Sequence, residues 1–418
     1  MIDKERLWLR LQQLSNIGKV ESGGITRLSF TEEERAAKKV VASYMEEAGL
    51  SVREDEVGNL IGRKEGLNPS ASVVLCGSHI DSVFNGGNFD GPLGVLAAVE
   101  VLQSMNEQGI QTEHPIEAIA FTDEEGARFS FGMIGSRAIA GLLTQDDLQN
   151  KDRDGVTIAE AMVSQGLNPE EIGKTARRSE TIKAYVELHI EQGKILEREN
   201  LSAGIVSGLA GPLWQKYTFV GEAGHAGTTP MNMRRDALTA AAKVMLAIEE
   251  EAAKTGSTVG TIGQLQLFPG GINIIPGCVE FSLDLRDINE AVRDEVEGRI
   301  VEVAHAICAK QDVKLTIEEL QRIAPAPCSE IVRDAAKASC ETLGVKNFTL
   351  PSGAGHDGMQ FTNLCPMGML FIRSKNGVSH DPAEWSSKDD CADGANLLGH
   401  TILNLALQKI ESEGVGRR

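Results

Sequence analysis

No stretch of this chain approaches the ~20 consecutive apolar residues that a membrane span needs, although 41% of its 418 residues are apolar. Paired thiols are also missing. The seven cysteines (Cys76, Cys278, Cys308, Cys328, Cys340, Cys365 and Cys391) are scattered, form no C-x-x-C pair and are odd in number. That argues against a disulfide framework and against a thiolate zinc site. Aromatic residues amount to 4%, too few to suggest base-stacking surfaces. Positive charge is in deficit: 41 Lys and Arg face 60 Asp and Glu, a formal net charge of −19. A nucleic-acid binder carries the opposite sign. The first residues lack the unbroken apolar core of a secretory signal. Asp3, Lys4, Glu5 and Arg6 instead precede Leu7, Leu11 and Leu14 at helical spacing, the pattern of an amphipathic helix. The expectation is a cytoplasmic globular protein that works on a small molecule, with neither nucleic acid nor membrane as partner.

What is present is an alternation of helical and strand patterns. Residues 32–48 read as a helix stopped by Gly49, 72–80 as a short apolar strand, 91–108 as a helix following Asp90, 116–121 as a buried strand and 184–190 as another. This order predicts an α/β domain with a mixed, largely parallel sheet and flanking helices. Sites in such sheets form beyond the carboxyl ends of the strands, and His79, Glu124, Glu125 and His189 all fall at or just after such ends. The middle of the chain changes character. Strands at 213–220, 258–267, 278–285 and 313–320 and helices at 234–254 and 290–310 follow one another as β-α-β-β-α-β, a ferredoxin-like α+β pattern. The segment Ala324-Pro325-Ala326-Pro327 closes it. The domain reading is therefore a catalytic domain in two parts, 1–211 and 328–418, interrupted by an inserted domain at 212–327.

Among eight histidines, His79, His189 and His380 lie in dense polar contexts at these boundaries. His114, His305 and His400 read as structural. The carboxylates nearest in pattern are Asp81, Asp90, Glu124 and Glu125. Imidazole and carboxylate ligands without thiolates suit zinc, manganese, cobalt or nickel. Three histidines and two carboxylates are too many for one catalytic zinc, but they suit two divalent metals if one carboxylate bridges them. Two such metals can share a hydroxide and polarise a carbonyl together. Asp90, flanked by glycines, is the best bridge. Asp81, two residues beyond His79, is placed to accept its other ring N–H. Of Glu124 and Glu125, one can bind metal while the other stays free as general base.

Taken together, His79-Ile80-Asp81, Gly86-Gly87-Asn88-Phe89-Asp90-Gly91, Glu124-Glu125-Gly126, Glu187-Leu188-His189-Ile190-Glu191-Gln192-Gly193 and Ser379-His380 resemble the aminoacylase and carboxypeptidase metallohydrolase superfamily. The likeness is to its amidase branch of N-carbamoyl-L-amino acid hydrolase, β-ureidopropionase and allantoate amidohydrolase, and is greatest to the bacterial N-carbamoyl-L-amino acid hydrolases. It implies a phosphorylase/hydrolase-like catalytic domain and an inserted dimerisation (lid) domain that makes a homodimer. It implies that His79, Asp90 and His189 hold one metal, that Asp90, Glu125 and His380 hold the other, that Glu124 is the general base and that Asp81 orients His79. It carries substrate roles to Gln192, His225, Asn273 and Arg286 and to the loop of Gly353, Gly355 and His356, with His225 reaching the partner subunit's site. The implied reaction is hydrolysis of an N-carbamoyl-L-amino acid to L-amino acid, ammonia and carbon dioxide. Allantoate or β-ureido substrates, a two-metal dipeptidase or aminopeptidase, and a non-catalytic binding protein are the competing readings.

Overall fold

The computed structural model describes residues 1–408, so residues 409–418 of the expected second catalytic part lie outside the described residues. In chain order its longer strands are Ser51–Glu54 (β1), Leu60–Lys64 (β2), Val73–His79 (β3), Ile116–Phe121 (β4), Ile182–Ile190 (β5), Ala203–Leu209 (β6), Gly211–Val220 (β7), Val259–Phe268 (β8), Cys278–Asp287 (β9), Lys314–Arg322 (β10) and Met367–Ile372 (β11). Its longer helices are Lys4–Leu14 (α1), Glu32–Glu47 (α2), Pro92–Glu107 (α3), Ala237–Ala253 (α4), Glu290–Gln311 (α5), Glu330–Leu343 (α6) and Lys388–Ala406 (α7). The chain forms two compact units. One comprises Met1–Ser207, Cys328–Leu350 and His356–Arg418, and the other Gly208–Pro327 with Pro351–Gly355.

In the first unit the strand order is β1-β2-β4-β3-β5-β11-β6. The central pairs β4–β3, β3–β5 and β5–β11 are parallel, while β1–β2, β2–β4 and β11–β6 are antiparallel. Every residue of β3, β4 and β11 is buried, which explains their near-continuous apolar runs: helices cover both faces. Helices α3 and α7 pack on the sheet in a core that includes Leu93, Val99, Leu102, Leu188, Leu398 and Ile402. Thr31 caps α2 by accepting from Glu34 N, and Pro92 opens α3 directly after Gly91, where its missing N–H costs nothing. Strands β1 and β2 were not foreseen, because Arg53, Glu54, Arg63 and Lys64 break the apolar pattern of this outer hairpin. Because β3, β4 and β5 are parallel and in register (His79 opposite Phe121, for example), their carboxyl ends emerge along one edge of the sheet.

The second unit carries a four-stranded antiparallel sheet in the order β10-β7-β9-β8, with α4 and α5 packed on one face. Strand β9 alternates half-buried and buried residues along its length, as a sheet covered on one side requires. Its core stacks Tyr217 on Phe281 at 4.9 Å and includes Phe219, Val244, Leu283 and Ile300. The connectivity is the ferredoxin-like one. A two-residue ladder pairs Gly224–His225 with Ile274–Ile275.

Candidate active site

His79 is the last residue of β3 and is fully buried. Its Nδ1 lies 3.2 Å from the Asp81 carbonyl oxygen and 3.5 Å from the Asp81 carboxylate. That carboxylate, expected to orient the imidazole, also accepts from the backbone N–H groups of Glu124 and Glu125, each at 3.2 Å. Asp81 therefore ties the turn after β4 to the turn after β3. On the other edge of the ring, His79 Nε2 is buried with no hydrogen-bond partner among the described residues, 3.6 Å from Asp90 Oδ1 and 3.7 Å from Glu124 Oε2.

His189, near the end of β5, repeats the arrangement. Its Nδ1 lies 3.0 Å from the Ile190 carbonyl, and its Nε2 accepts from Gly91 N and lies 3.1 Å from Asp90 Oδ1. An accepting Nε2 leaves the ring proton on Nδ1. The third imidazole comes from the loop after β11: His380 Nε2 lies 3.3 Å from Asp90 Oδ2 and 3.6 Å from Glu125 Oε2. Asp90 thus presents one oxygen to His79 and His189 and the other to His380. The glycine after it has a structural reason. At Gly91, with φ 82°, a Cβ would fall 2.4 Å from the His79 ring, so a side chain there would push the imidazole away from Asp90. Asp123, Gln192 and His380 adopt positive φ of 56°, 56° and 58°, conformations that cost energy in non-glycine residues and cluster at functional sites.

Burial opposes the ionised form of each group here. Against it, His189, His380 and His79 hold Asp90 well below the usual carboxylate range. Burial and neighbouring carboxylates push Glu124 well above that range and Glu125 up to about 7. Burial also disfavours the His79 imidazolium, but Glu124, Asp81 and Asp90 outweigh it and raise its pKa.

The donor set fits divalent cations. The ligand atoms of His79, Asp90 and His189 lie within 4.8 Å of one another, as do those of Asp90, Glu125 and His380. Two buried atoms, His79 Nε2 and Glu125 Oε1, are unsatisfied without a cation, and buried polar atoms are rarely left so. A third such group, Glu187, His189 and His356, is less apt, since Glu187 is already engaged by Ser78 Oγ and Tyr185 Oη.

The residues with expected substrate roles fall in different places. Gln192 Nε2 donates to Asp90 Oδ2 at 2.7 Å, and its Oε1 is buried without a partner. His356 is buried, its ring centroid 4.4 Å from that of His189, and burial holds its pKa well below the ordinary value. His225, Asn273, Arg286, Gly353 and Gly355 belong to the second unit. There Ala226 N donates to the Asn273 carbonyl, which brings His225 and Asn273 together. His225 Nδ1 accepts from Gly227 N and Thr228 N, so its ring proton sits on Nε2 and points away from the loop as a donor. Arg286 lines a cavity of about 350 Å³ with Ser257, Val259, Thr261, Asp284 and Ser352. It donates twice to Asp284 and once to the Gly353 carbonyl. A guanidinium has five donors, so two remain free. His114, read as structural, is buried against the Ser72 carbonyl. Sequence reasoning gave Ser379 no role of its own and missed Glu384. Ser379 Oγ lies 2.7 Å from Asp90 Oδ2, and Glu384 accepts from the backbone of Asp90.

Comparison with known proteins places this architecture. Residues 75–404 match the family described as peptidase family M20/M25/M40. The chain is 60% identical over 406 residues to an N-carbamoyl-L-amino acid amidohydrolase of Geobacillus stearothermophilus, covering 97% of this chain and 99% of that one. It is 37% identical over 401 residues to allantoate amidohydrolase of Escherichia coli (strain K12), covering 96% and 97%. A crystal structure of an amidase of the hydantoinase/carbamoylase family from Burkholderia multivorans superposes with a TM-score of 0.93 at 34% identity, covering 98% of this chain and 99% of that chain.

Proposed function

The chain belongs to peptidase family M20/M25/M40, and from that premise we propose that it is an amidohydrolase of linear amides that converts N-carbamoyl-L-amino acids to L-amino acid, ammonia and carbon dioxide. The observation that carries the chemistry is the division of labour at the site: two ligand groups share Asp90, and Glu124 stands beside His79 outside both. The substrate class follows the relatives, 60% identity to the carbamoyl amino acid hydrolase against 37% to the allantoate enzyme. A metal-supplemented assay offering an N-carbamoyl-L-amino acid, allantoate and a dipeptide tests it. The carbamoyl substrate should turn over fastest, and a preference for either of the others overturns the assignment.

In this reading His79, Asp90 and His189 hold one divalent cation and Asp90, Glu125 and His380 the other. The pair, when bound, supplies Lewis acidity and lowers the pKa of water. Glu124 takes a proton from the attacking water and returns it to the leaving nitrogen. Asp81 holds the turn that aims Glu124. Gln192 Oε1, buried and unpaired, is set to accept a ureido N–H. His225 and Asn273 supply donors to the developing oxyanion, and His356 and the backbone at Gly353 and Gly355 complete the substrate loop. Manganese, cobalt, nickel and zinc all suit the ligand set. Elemental analysis should find two cations per subunit, and chelation should abolish activity that one of these metals restores. Full activity with one cation would sink the shared-carboxylate arrangement.

Arg286 is assigned to the substrate α-carboxylate, for which its two free N–H groups provide a forked donor. The Asp284 pairing fixes the guanidinium for that task. Lys cannot reproduce the geometry. Arg286→Lys should raise KM by about 10-fold or more, since hydrogen bonds to charged groups contribute ~1.5–3 kcal/mol. Unchanged kinetics, or equal turnover of the amide-capped substrate, would rule the role out.

The second unit is assigned as the dimer interface. Strand β8 is a sheet edge, and Leu265 and Phe268 on it and Ile272 shortly after it are exposed. An unpaired edge beside apolar surface is a template for a two-fold partner. No helix among the described residues is long and apolar enough to cross a membrane, and the cytoplasm remains the proposed compartment.

A further inference from the structure

We propose that Glu384 is a positioning residue that locks the loop carrying Asp90 to the loop carrying His380, and so sets the affinity of the cation held by Asp90, Glu125 and His380. The inference rests on the two-cation reading above. Glu384 is 5% exposed and lies outside both ligand groups. Its Oε1 accepts from Phe89 N at 2.8 Å and from Asp90 N at 3.1 Å. Its Oε2 lies 3.0 Å from Ser379 Oγ, which in turn lies 2.7 Å from Asp90 Oδ2. The carboxylate therefore grips the main chain at Phe89 and Asp90 with Oε1, while Oε2 meets Ser379 Oγ, a hydroxyl whose single proton is shared with Asp90 Oδ2. Ser379 is the neighbour of His380, whose Nε2 meets that same oxygen.

Gly87 shows that the space for this carboxylate is kept open. A Cβ there would fall 2.2 Å from Glu384 Cδ and Oε1. Beside it, Trp385 packs edge-on against Phe89 and Trp8, with ring centroids 5.7 and 5.4 Å apart. Those apolar contacts draw the two loops together but leave the backbone N–H groups at Phe89 and Asp90 without an acceptor. Among the described residues only Glu384 supplies one, and a buried N–H left unpaired is costly.

The two cation sites depend on this clamp unequally. His79 and His189 ride on β3 and β5, whose positions the sheet ladders fix. His380 sits on a loop with its side chain 49% exposed, so its distance to Asp90 depends on ties between loops. Losing Glu384 should loosen the second site and spare the first.

Calorimetric titration of the metal-free full chain with manganese tests this. Two binding events in the wild type are required by the two-cation reading; a single event there fails that reading, separately from this one. Glu384→Ala should weaken one event by ~10–100-fold, the usual effect of removing an outer partner of a metal ligand, and leave the other unchanged. Glu384→Gln keeps a carbonyl oxygen for both backbone N–H groups and should recover most of the affinity. Folded Glu384→Ala with two wild-type affinities overturns the proposal, as does Glu384→Gln damaged as badly as Glu384→Ala. Should Glu384→Ala not fold, Glu384→Asp, one methylene too short to reach, decides in its place: a weakened second event supports the clamp, and wild-type affinity overturns it.

Discussion

Replacing Glu124 by Gln should lower turnover by ~10²–10⁴-fold, the range typical of a lost general base, while both cations stay bound. The side chain keeps its size, and the turn that presents it is held elsewhere, by the Asp81 carboxylate on the backbone N–H groups of Glu124 and Glu125. Burial, first, and the surrounding carboxylates push the Glu124 carboxyl well above the ordinary range. The Gln amide cannot serve as a base. Glu125→Gln should separate from it cleanly. Glu125 Oε2 lies 3.6 Å from His380 Nε2, so that variant should lose metal from one site. Steady-state kinetics with metal content measured on the same samples decides the matter. Near-normal turnover of Glu124→Gln, or loss of metal from it, removes Glu124 from the role of base.

His225→Ala should cost ~10²–10³-fold in kcat with metal content intact, as the loss of one oxyanion donor typically does. The loop places the ring for this: Gly227 N and Thr228 N occupy Nδ1 and leave Nε2–H as the free donor. His225 belongs to the second unit, the proposed dimerisation domain, and is assigned to the partner subunit's site. That assignment predicts complementation. Mixed Glu124→Gln and His225→Ala subunits form hybrids with one site that has an intact Glu124 and a partner-supplied His225, so activity should reappear. Verified subunit exchange with no recovery would argue against action across the interface.

Most of the architecture was legible in the chain because it is local. Buried parallel strands read as unbroken apolar runs, as in Val73–His79 and Ile116–Phe121. Alternating half-buried and buried residues along Cys278–Asp287 read as a sheet covered on one face. Helices read from their patterns too: 32–48 stopped by Gly49 and 91–108 following Asp90. The outer hairpin of β1 and β2 did not, because Arg53, Glu54, Arg63 and Lys64 interrupt it and leave no periodic apolar signal.

The chemistry was likewise divided between the two levels. By itself, the sequence determined the candidate ligand types and their placement after strand ends, since metal preference follows from donor atoms and parallel strands bring their carboxyl ends to one edge. Only the tertiary structure decided which groups meet. It turned Gln192 Nε2 onto Asp90, engaged the Asp81 carboxylate with Glu124 and Glu125 rather than with His79 alone, and brought Glu384 to the backbone of Phe89 and Asp90 across 295 and 294 positions. A hydrogen bond from main chain to a carboxylate so distant in the chain depends on how two loops pack, and neither residue type nor spacing encodes that.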